Sequence, residues 1–172
     1  MNVYFSSIVK GLTAKVFRTY LASTVVAKYL KEHDNIKSKS PNEKLYHAKL
    51  ANLQAAIMCN HKRTIPKTFE SALQKKKETL KKAKDSVPKT EKQKEKKKER
   101  IEKIKLQIDL AEKTKDYNIG TSLRNYIDPR VFKAWTDEVG AEWEKLYTAA
   151  LQKKFLWVKN EKDSWKTDSK HY

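Results

Sequence analysis

Apolar residues recur at helical spacing through most of the chain, and nothing reads clearly as a strand. Thr13 stands at a helix-capping position and opens a segment that runs to about Leu30. Val16, Phe17, Tyr20, Leu21, Val25 and Leu30 lie near one face of it. Residues 31–39 read as a polar loop. Ser40-Pro41-Asn42-Glu43 is a stronger start, because Ser40 caps, Pro41 takes the first helical position and Glu43 completes a capping box. That helix is predicted to reach about Asn60, with Leu45, Ala48, Leu53, Ala56 and Ile57 as its apolar stripe. Farther on, Pro129 to Val139 reads as a helix stopped by Gly140. A further helix is expected near Glu142, with Trp143, Leu146 and Tyr147 packing inward. Leu151, Phe155, Leu156 and Trp157 form the last apolar group.

The pattern changes from Thr68. Residues 74–105 carry fourteen lysines and Arg100 against six acidic residues, a net +9 that is half of the excess of the whole chain. The apolar residues there are sparse but periodic. Leu73, Leu80 and Val87 recur every seventh position, and Ile101, Ile104, Ile108 and Ala111 follow a 3-4-3 spacing. Val87-Pro88-Lys89 interrupts the stretch, since proline drives the residue before it out of helical geometry. The expectation is a pair of long helices folded back as an antiparallel coiled-coil hairpin with its tip near Pro88. Glu78–Lys82 and Glu99–Lys103 would add roughly 0.2–0.5 kcal/mol each. The competing reading is a disordered lysine-rich linker.

The 172 residues hold 39 Lys+Arg against 21 Asp+Glu, a net charge of +18, and 38% are hydrophobic. Such a charge calls for a polyanionic partner, with nucleic acid first. A membrane surface is disfavoured, because no basic helix here carries a broad apolar face, and no run is long enough to span a bilayer. The single cysteine, Cys59, excludes an internal disulfide and fits a reducing, intracellular setting. Its neighbours Ile57 and Met58 predict a buried structural thiol. One cysteine and four scattered histidines offer no zinc site, so no metal is expected.

Candidate chemistry gathers around Gly120-Thr121-Ser122-Leu123-Arg124-Asn125-Tyr126-Ile127-Asp128-Pro129-Arg130. Tyr126 is predicted one turn into a short helix capped by Thr121 or Ser122, with a second helix starting at Asp128-Pro129. The phenol would then sit on a rigid turn beside Arg124 and Arg130. A fixed phenol among positive charges suits attack on a phosphodiester. Two other segments offer phosphate-binding groups: Thr13-Ala14-Lys15-Val16-Phe17-Arg18-Thr19-Tyr20, and Ile57-Met58-Cys59-Asn60-His61-Lys62-Arg63.

These segments, with Pro66-Lys67-Thr68-Phe69 and the charged linker between them, follow the order found in the C-terminal part of the eukaryotic-type DNA topoisomerases of type IB (topoisomerase I). Almost the whole chain resembles that region. The resemblance implies that Tyr126 is the nucleophile that joins the 3′ phosphate of one DNA strand. It implies that Arg18 donates paired hydrogen bonds to the non-bridging oxygens and that His61 donates to the other oxygen. Lys15, Lys62, Arg63, Lys67, Arg124, Asn125 and Arg130 are the expected contacts to duplex DNA. No cofactor is implied. The family also uses an arginine and a lysine that lie upstream of the matched region, so this chain alone is expected to be nearly inactive and to need an upstream core, from the same protein or from a second subunit. A nuclear location follows from the same resemblance. The sequence departs from the family's frequent Ser-Lys-x-x-Tyr at Ser122-Leu123-Arg124-Asn125-Tyr126. It also has Leu21 where asparagine commonly follows Arg-Thr-Tyr.

The fold expected is all-α: residues 1–70 as a helical part of a catalytic core, 71–117 as a lysine-rich coiled-coil linker and 118–172 as the tyrosine-bearing domain. Trp135, Trp143, Trp157 and Trp165 read as core or surface anchors, and His33, His47 and His171 as ordinary structural histidines. The alternative function is a non-catalytic, basic, helical nucleic-acid-binding module whose binding falls steeply with salt.

Overall fold

Ser40 nucleates the central helix as its sequence predicts. Its hydroxyl accepts from the Glu43 backbone N–H at 3.2 Å, and its own N–H donates to the Glu43 carboxylate at 3.1 Å. The helix that follows, α3 (Pro41–Met58), buries Ala48, Leu50, Ala51, Asn52, Leu53, Ala55 and Ala56, so it is enclosed on more than one side. In this computed structural model, which describes residues 1–161, the other helices are α1 (Asn2–Ile8), α2 (Ala14–Glu32), α4 (Phe69–Asp85), α5 (Glu91–Thr114), α6 (Ile119–Asn125), α7 (Pro129–Val139) and α8 (Ala149–Lys154). Trp165 and His171 lie outside the described residues. No strand forms among the described residues, and the fold is all-α. No helix among them is long and apolar enough to cross a membrane.

α2 packs on α3 through small side chains. Ala22, Ser23, Val26, Ala27 and Leu30 are its buried positions, and they meet the alanine-rich face of α3. Small residues let helix axes approach closely. The stripe expected from the sequence is displaced: Val16, Phe17, Tyr20 and Leu21 are 47–50% exposed. Thr13 holds the N-cap position, but its side chain makes no capping bond. Asn2 of α1 accepts from the Ala14 N–H at 3.0 Å instead. The expected loop at 31–39 contains a 3-10 turn, Asp34–Ser38, which drives Ile36 into the core at 1% exposure.

The lysine-rich stretch forms α4 and α5, joined across 86–90 and running antiparallel. Lys97 caps the end of α4 by donating to the Lys84 and Ser86 carbonyls, and Lys77 pairs with Glu112 at 3.3 Å near the other end. Leu73, Ala83 and Ile104 are the buried apolar residues of the pair, so the seam is thin, and Val87 is exposed at the tip. The second half of α5 does not stand free. Ser40 donates to Glu102 at 2.8 Å, Tyr46 donates to Asp109, and Lys113 donates to Tyr46 at 2.8 Å. These bonds lay α5 along α3 in parallel.

α7 closes the core from the far side. Asp128 caps it by accepting from the Arg130 N–H, Pro129 takes the first turn, and Gly140 ends it in the left-handed conformation at φ 63°. Its Val131, Phe132, Trp135 and Val139 share a core with Ala22, Val26, Leu30, Ala48 and Ala51. A 3-10 turn at Trp143–Leu146, then Tyr147, Leu151, Phe155 and Val158, complete that core, whereas Leu156 and Trp157 face solvent.

Candidate active site around Tyr126

The backbone places His61. α3 ends in a left-handed cap at Asn60 (φ 55°), with Asn60 N–H donating to the Ile57 carbonyl at 2.9 Å and His61 N–H to the Ala56 carbonyl at 2.8 Å. This is the two-bond C-terminal cap that asparagine tolerates in place of glycine. His61 is thereby turned back toward α2. Its carbonyl accepts from the Asn118 N–H at 2.8 Å, and the Arg63 N–H donates to the Asp116 carbonyl at 2.9 Å. Together with the bridge between Lys62 and Tyr117, these bonds stitch the His61 segment to the start of α6.

α6 begins one turn earlier than its sequence predicts. Asn118 caps it by accepting from the Thr121 N–H, and Ser122 is fully buried within it. Tyr126 therefore stands at the C-terminal end of the helix rather than one turn in, with its N–H donating to the Ser122 carbonyl at 2.9 Å. Ile127 enters the core beside it. The Asp128 N–H then donates to Ser23 Oγ of α2 at 2.9 Å. Held at both sides, the Tyr126 ring projects half-buried toward α2 and the end of α3.

Three predicted groups meet there. The Tyr126 and His61 ring centroids lie 5.0 Å apart at 43°. The Arg18 guanidinium carbon is 5.6 Å from the Tyr126 ring centroid, and Lys15 Nζ is 6.0 Å from it. Arg18 and Lys15 are three residues apart on α2 and so share one face. Lys15 also borders an open groove of about 370 Å³ lined by Thr13, Val16, Thr19, Tyr20, Ser23 and Asp128. Burial and then the nearby Arg18 charge push the His61 imidazole below its ordinary value of 6.5. A neutral imidazole keeps one N–H to donate. His61 Nδ1 is buried without a hydrogen-bond partner. Cys59 is half-buried rather than buried, and its thiol is raised by burial against a smaller opposing effect of Arg18.

The other expected contacts have varied surroundings. Arg130 does not flank the phenol as a loose cation: its guanidinium folds onto the Asp128 carboxylate, with Nη2 to Oδ2 at 2.7 Å and Nε to Oδ1 at 3.1 Å. Arg63 caps the end of α5, with Nε donating to the Lys115 carbonyl at 3.0 Å and Nη2 to the Thr114 carbonyl at 3.4 Å. Arg124 has an exposed side chain, and its carbonyl accepts from Lys154 at 2.9 Å. Asn125, Lys62 and Lys67 are exposed. The sequence reading missed Asn118 and Ser23. Asn118 was legible as a helix cap; nothing local marks Ser23.

Residues 1–96 match the family model described as eukaryotic DNA topoisomerase I, catalytic core, and residues 98–167 match the one described as C-terminal topoisomerase domain. The chain is 33% identical over 169 residues to DNA topoisomerase 1 of Drosophila melanogaster, covering 92% of this chain and 17% of that protein. It is 34% identical over 184 residues to DNA topoisomerase 1 of Homo sapiens, covering 92% and 24%. DNA topoisomerase I, mitochondrial, of Rattus norvegicus is 35% identical over 186 residues, covering 94% and 31%. The chain thus spans less than a third of the length of these relatives.

Proposed function

Because the chain belongs to the eukaryotic DNA topoisomerase I family, we propose that it supplies the nucleophile and part of the phosphate-binding site for relaxing supercoiled duplex DNA through a transient single-strand nick. The observation that carries this reading is the meeting of Tyr126 with His61 and Arg18 within one small volume.

In the proposed cycle the Tyr126 oxygen bonds to phosphorus and the bond from phosphorus to the 5′ oxygen breaks. The phenol gives up its proton and the leaving 5′ oxygen gains one. A free phenol has a pKa of about 10, so the attack needs stabilisation of the charge that develops. Arg18 supplies two parallel N–H donors to the non-bridging oxygens, a task for which a planar guanidinium is better shaped than an ammonium. His61, neutral and beside the ring, donates one further hydrogen bond and acts through charge stabilisation rather than as a base. Lys15 adds positive potential on the same face. The phosphotyrosyl bond keeps the energy of the broken linkage, so the 5′ hydroxyl can reseal it after strand rotation, with no ATP or metal in the scheme. An arginine and a general-acid lysine from the upstream part of the family's core complete the site. Without them the rate is lower by more than the roughly 10²–10³ that one donor is worth. By the same family resemblance the site of action is the nucleus.

The test mixes the chain with the upstream core of a eukaryotic DNA topoisomerase I and follows plasmid relaxation. The chain with Tyr126 should relax the plasmid and the Tyr126→Phe chain should not. Equal relaxation by both would defeat the assignment. Salt-sensitive DNA binding with no relaxation in either would favour the non-catalytic binding module.

A further inference from the structure

Two buried polar side chains bracket Tyr126, and both come from far away in sequence. On the near side, Asn52 Nδ2 donates to the carbonyl of Ile119, the first residue of α6, at 2.8 Å. On the far side, Ser23 Oγ accepts from the Asp128 N–H at 2.9 Å while donating its own proton to the Thr19 carbonyl at 2.7 Å. Asn52 is 3% exposed and Ser23 is 2% exposed. Asn52 sits in α3 among Ala48, Ala51, Leu53, Ala55 and Ala56, where an apolar residue would cost nothing in desolvation. Its Oδ1 is buried without a partner, so the amide is kept at a cost and its N–H bond to α6 is the use made of it.

The two helices involved are the ones that present the other reactive groups. α3 ends at the His61 cap, and α2 carries Arg18 and Lys15 on the stretch that leads to Ser23. We infer that Asn52 and Ser23 are positioning residues that register the backbone on both sides of Tyr126 against α3 and α2, so that phenol, imidazole and guanidinium keep one geometry. This rests on the reading of Tyr126 as the nucleophile. α6 spans seven residues, about 10 Å of stiff helix, so a fixed start and a fixed exit leave the phenol little freedom to slide. A misplacement of about 1 Å costs on the order of a hundredfold in such reactions.

The test compares Ser23→Ala and Asn52→Leu in the full chain by two readouts. Asn52→Leu keeps the approximate shape of the side chain, removes its N–H donor and adds no buried charge or alternative donor at this 3% exposed position. The first readout needs no DNA: the nuclear Overhauser effect between the His61 and Tyr126 rings, together with the melting temperature. In each variant the ring-to-ring signal should be clearly weaker than in the parent while melting stays cooperative. The second is the rate of covalent adduct formation with the upstream core supplied. It should fall on the order of a hundredfold at saturating DNA with DNA affinity unchanged, a split that mere depletion of folded protein does not produce. A ring-to-ring signal of parental strength in the folded variants overturns the inference. If one variant does not fold, the other decides, because the two pins act from opposite sides. If the parent chain forms no adduct, the nucleophile reading falls, and the ring-to-ring measurement still decides whether Asn52 and Ser23 position Tyr126.

Discussion

His61 and Tyr126 lie on opposite sides of the lysine-rich α4–α5 pair in sequence, yet their ring centroids are 5.0 Å apart. The two rings meet because the chain leaves α3 and returns to its end. The Asn118 N–H closes on the His61 carbonyl at 2.8 Å, and the Arg63 N–H closes on the Asp116 carbonyl at 2.9 Å.

Arg18→Ala should lower the rate of adduct formation by roughly 10²–10³, and Arg18→Lys should recover only part of it, because an ammonium cannot donate two parallel bonds. Arg18 is exposed, so the melting temperature should stay nearly unchanged in both. Single-turnover cleavage of a DNA duplex in the presence of the upstream core measures the first effect and thermal unfolding the second. A full rate in Arg18→Ala would remove it from the site.

His47 and His61 should make the stability of the chain depend on pH. Burial comes first in lowering both His47 and His61, followed by the His33 charge for His47 and the Arg18 charge for His61. The unfolded chain takes up these protons near pH ~6.5, whereas the folded chain resists them to lower pH. Unfolded protein then binds more protons in that window, so stability rises with pH through it and is lost as pH falls below about 6.5. Urea unfolding at about pH 7.5 and about pH 5.5 should show the lower midpoint at the lower pH. By NMR the His61 titration should lie below 6.5 and move upward in Arg18→Ala. A midpoint unaffected by removal of Arg18 would contradict the placement of its charge.

Much of this was legible where the signal is local. The Ser40 capping box, the Asp128-Pro129 start and the Gly140 stop each need only three or four neighbouring residues, and each forms as the sequence predicts. The α2 stripe was misread because periodicity gives weight to large residues. Val16, Phe17, Tyr20 and Leu21 stay substantially exposed while Ala22, Ser23 and Ala27 pack closely on α3. The residue types that gather around Tyr126 were legible, but the cations near them were not sorted. Arg130 is held by Asp128 two residues before it, and Arg63 is held by carbonyls at the end of α5. Both partnerships depend on where the backbone turns. Ser23 and Asn52 carry no motif at all, and only the packed structure distinguishes them from other small polar residues on helices.

The α4–α5 pair divides into parts with different consequences. Replacing the outer residues 80–97 by a short turn should leave the melting temperature and adduct formation close to those of the parent. It should also weaken the salt dependence of DNA binding, by about 0.9 in slope for each phosphate that the protein no longer neutralises. Removing 75–115 should destabilise the chain, because that deletion takes away Glu102, Asp109 and Lys113, which hold α5 to Ser40 and Tyr46. Thermal unfolding of the two deletions distinguishes these outcomes; equal stability would show that the bonds to α3 contribute nothing.

Trp135→Ala should cost about 3–5 kcal/mol, since Trp135 is 2% exposed and lies at the centre of the core formed by α2, α3 and α7. Denaturant unfolding should show the decrease at an unchanged slope. Trp157→Ala, at an exposed position, should change the midpoint little.

The most direct measurement is the identity of the residue bonded to DNA. A nicked duplex that releases its 5′ end should trap the chain, with the upstream core present, on the 3′ phosphate. Mass spectrometry of the digested adduct should find the nucleotide on the peptide that contains Tyr126. A nucleotide on any other residue, or a linkage to the 5′ phosphate, would contradict the account.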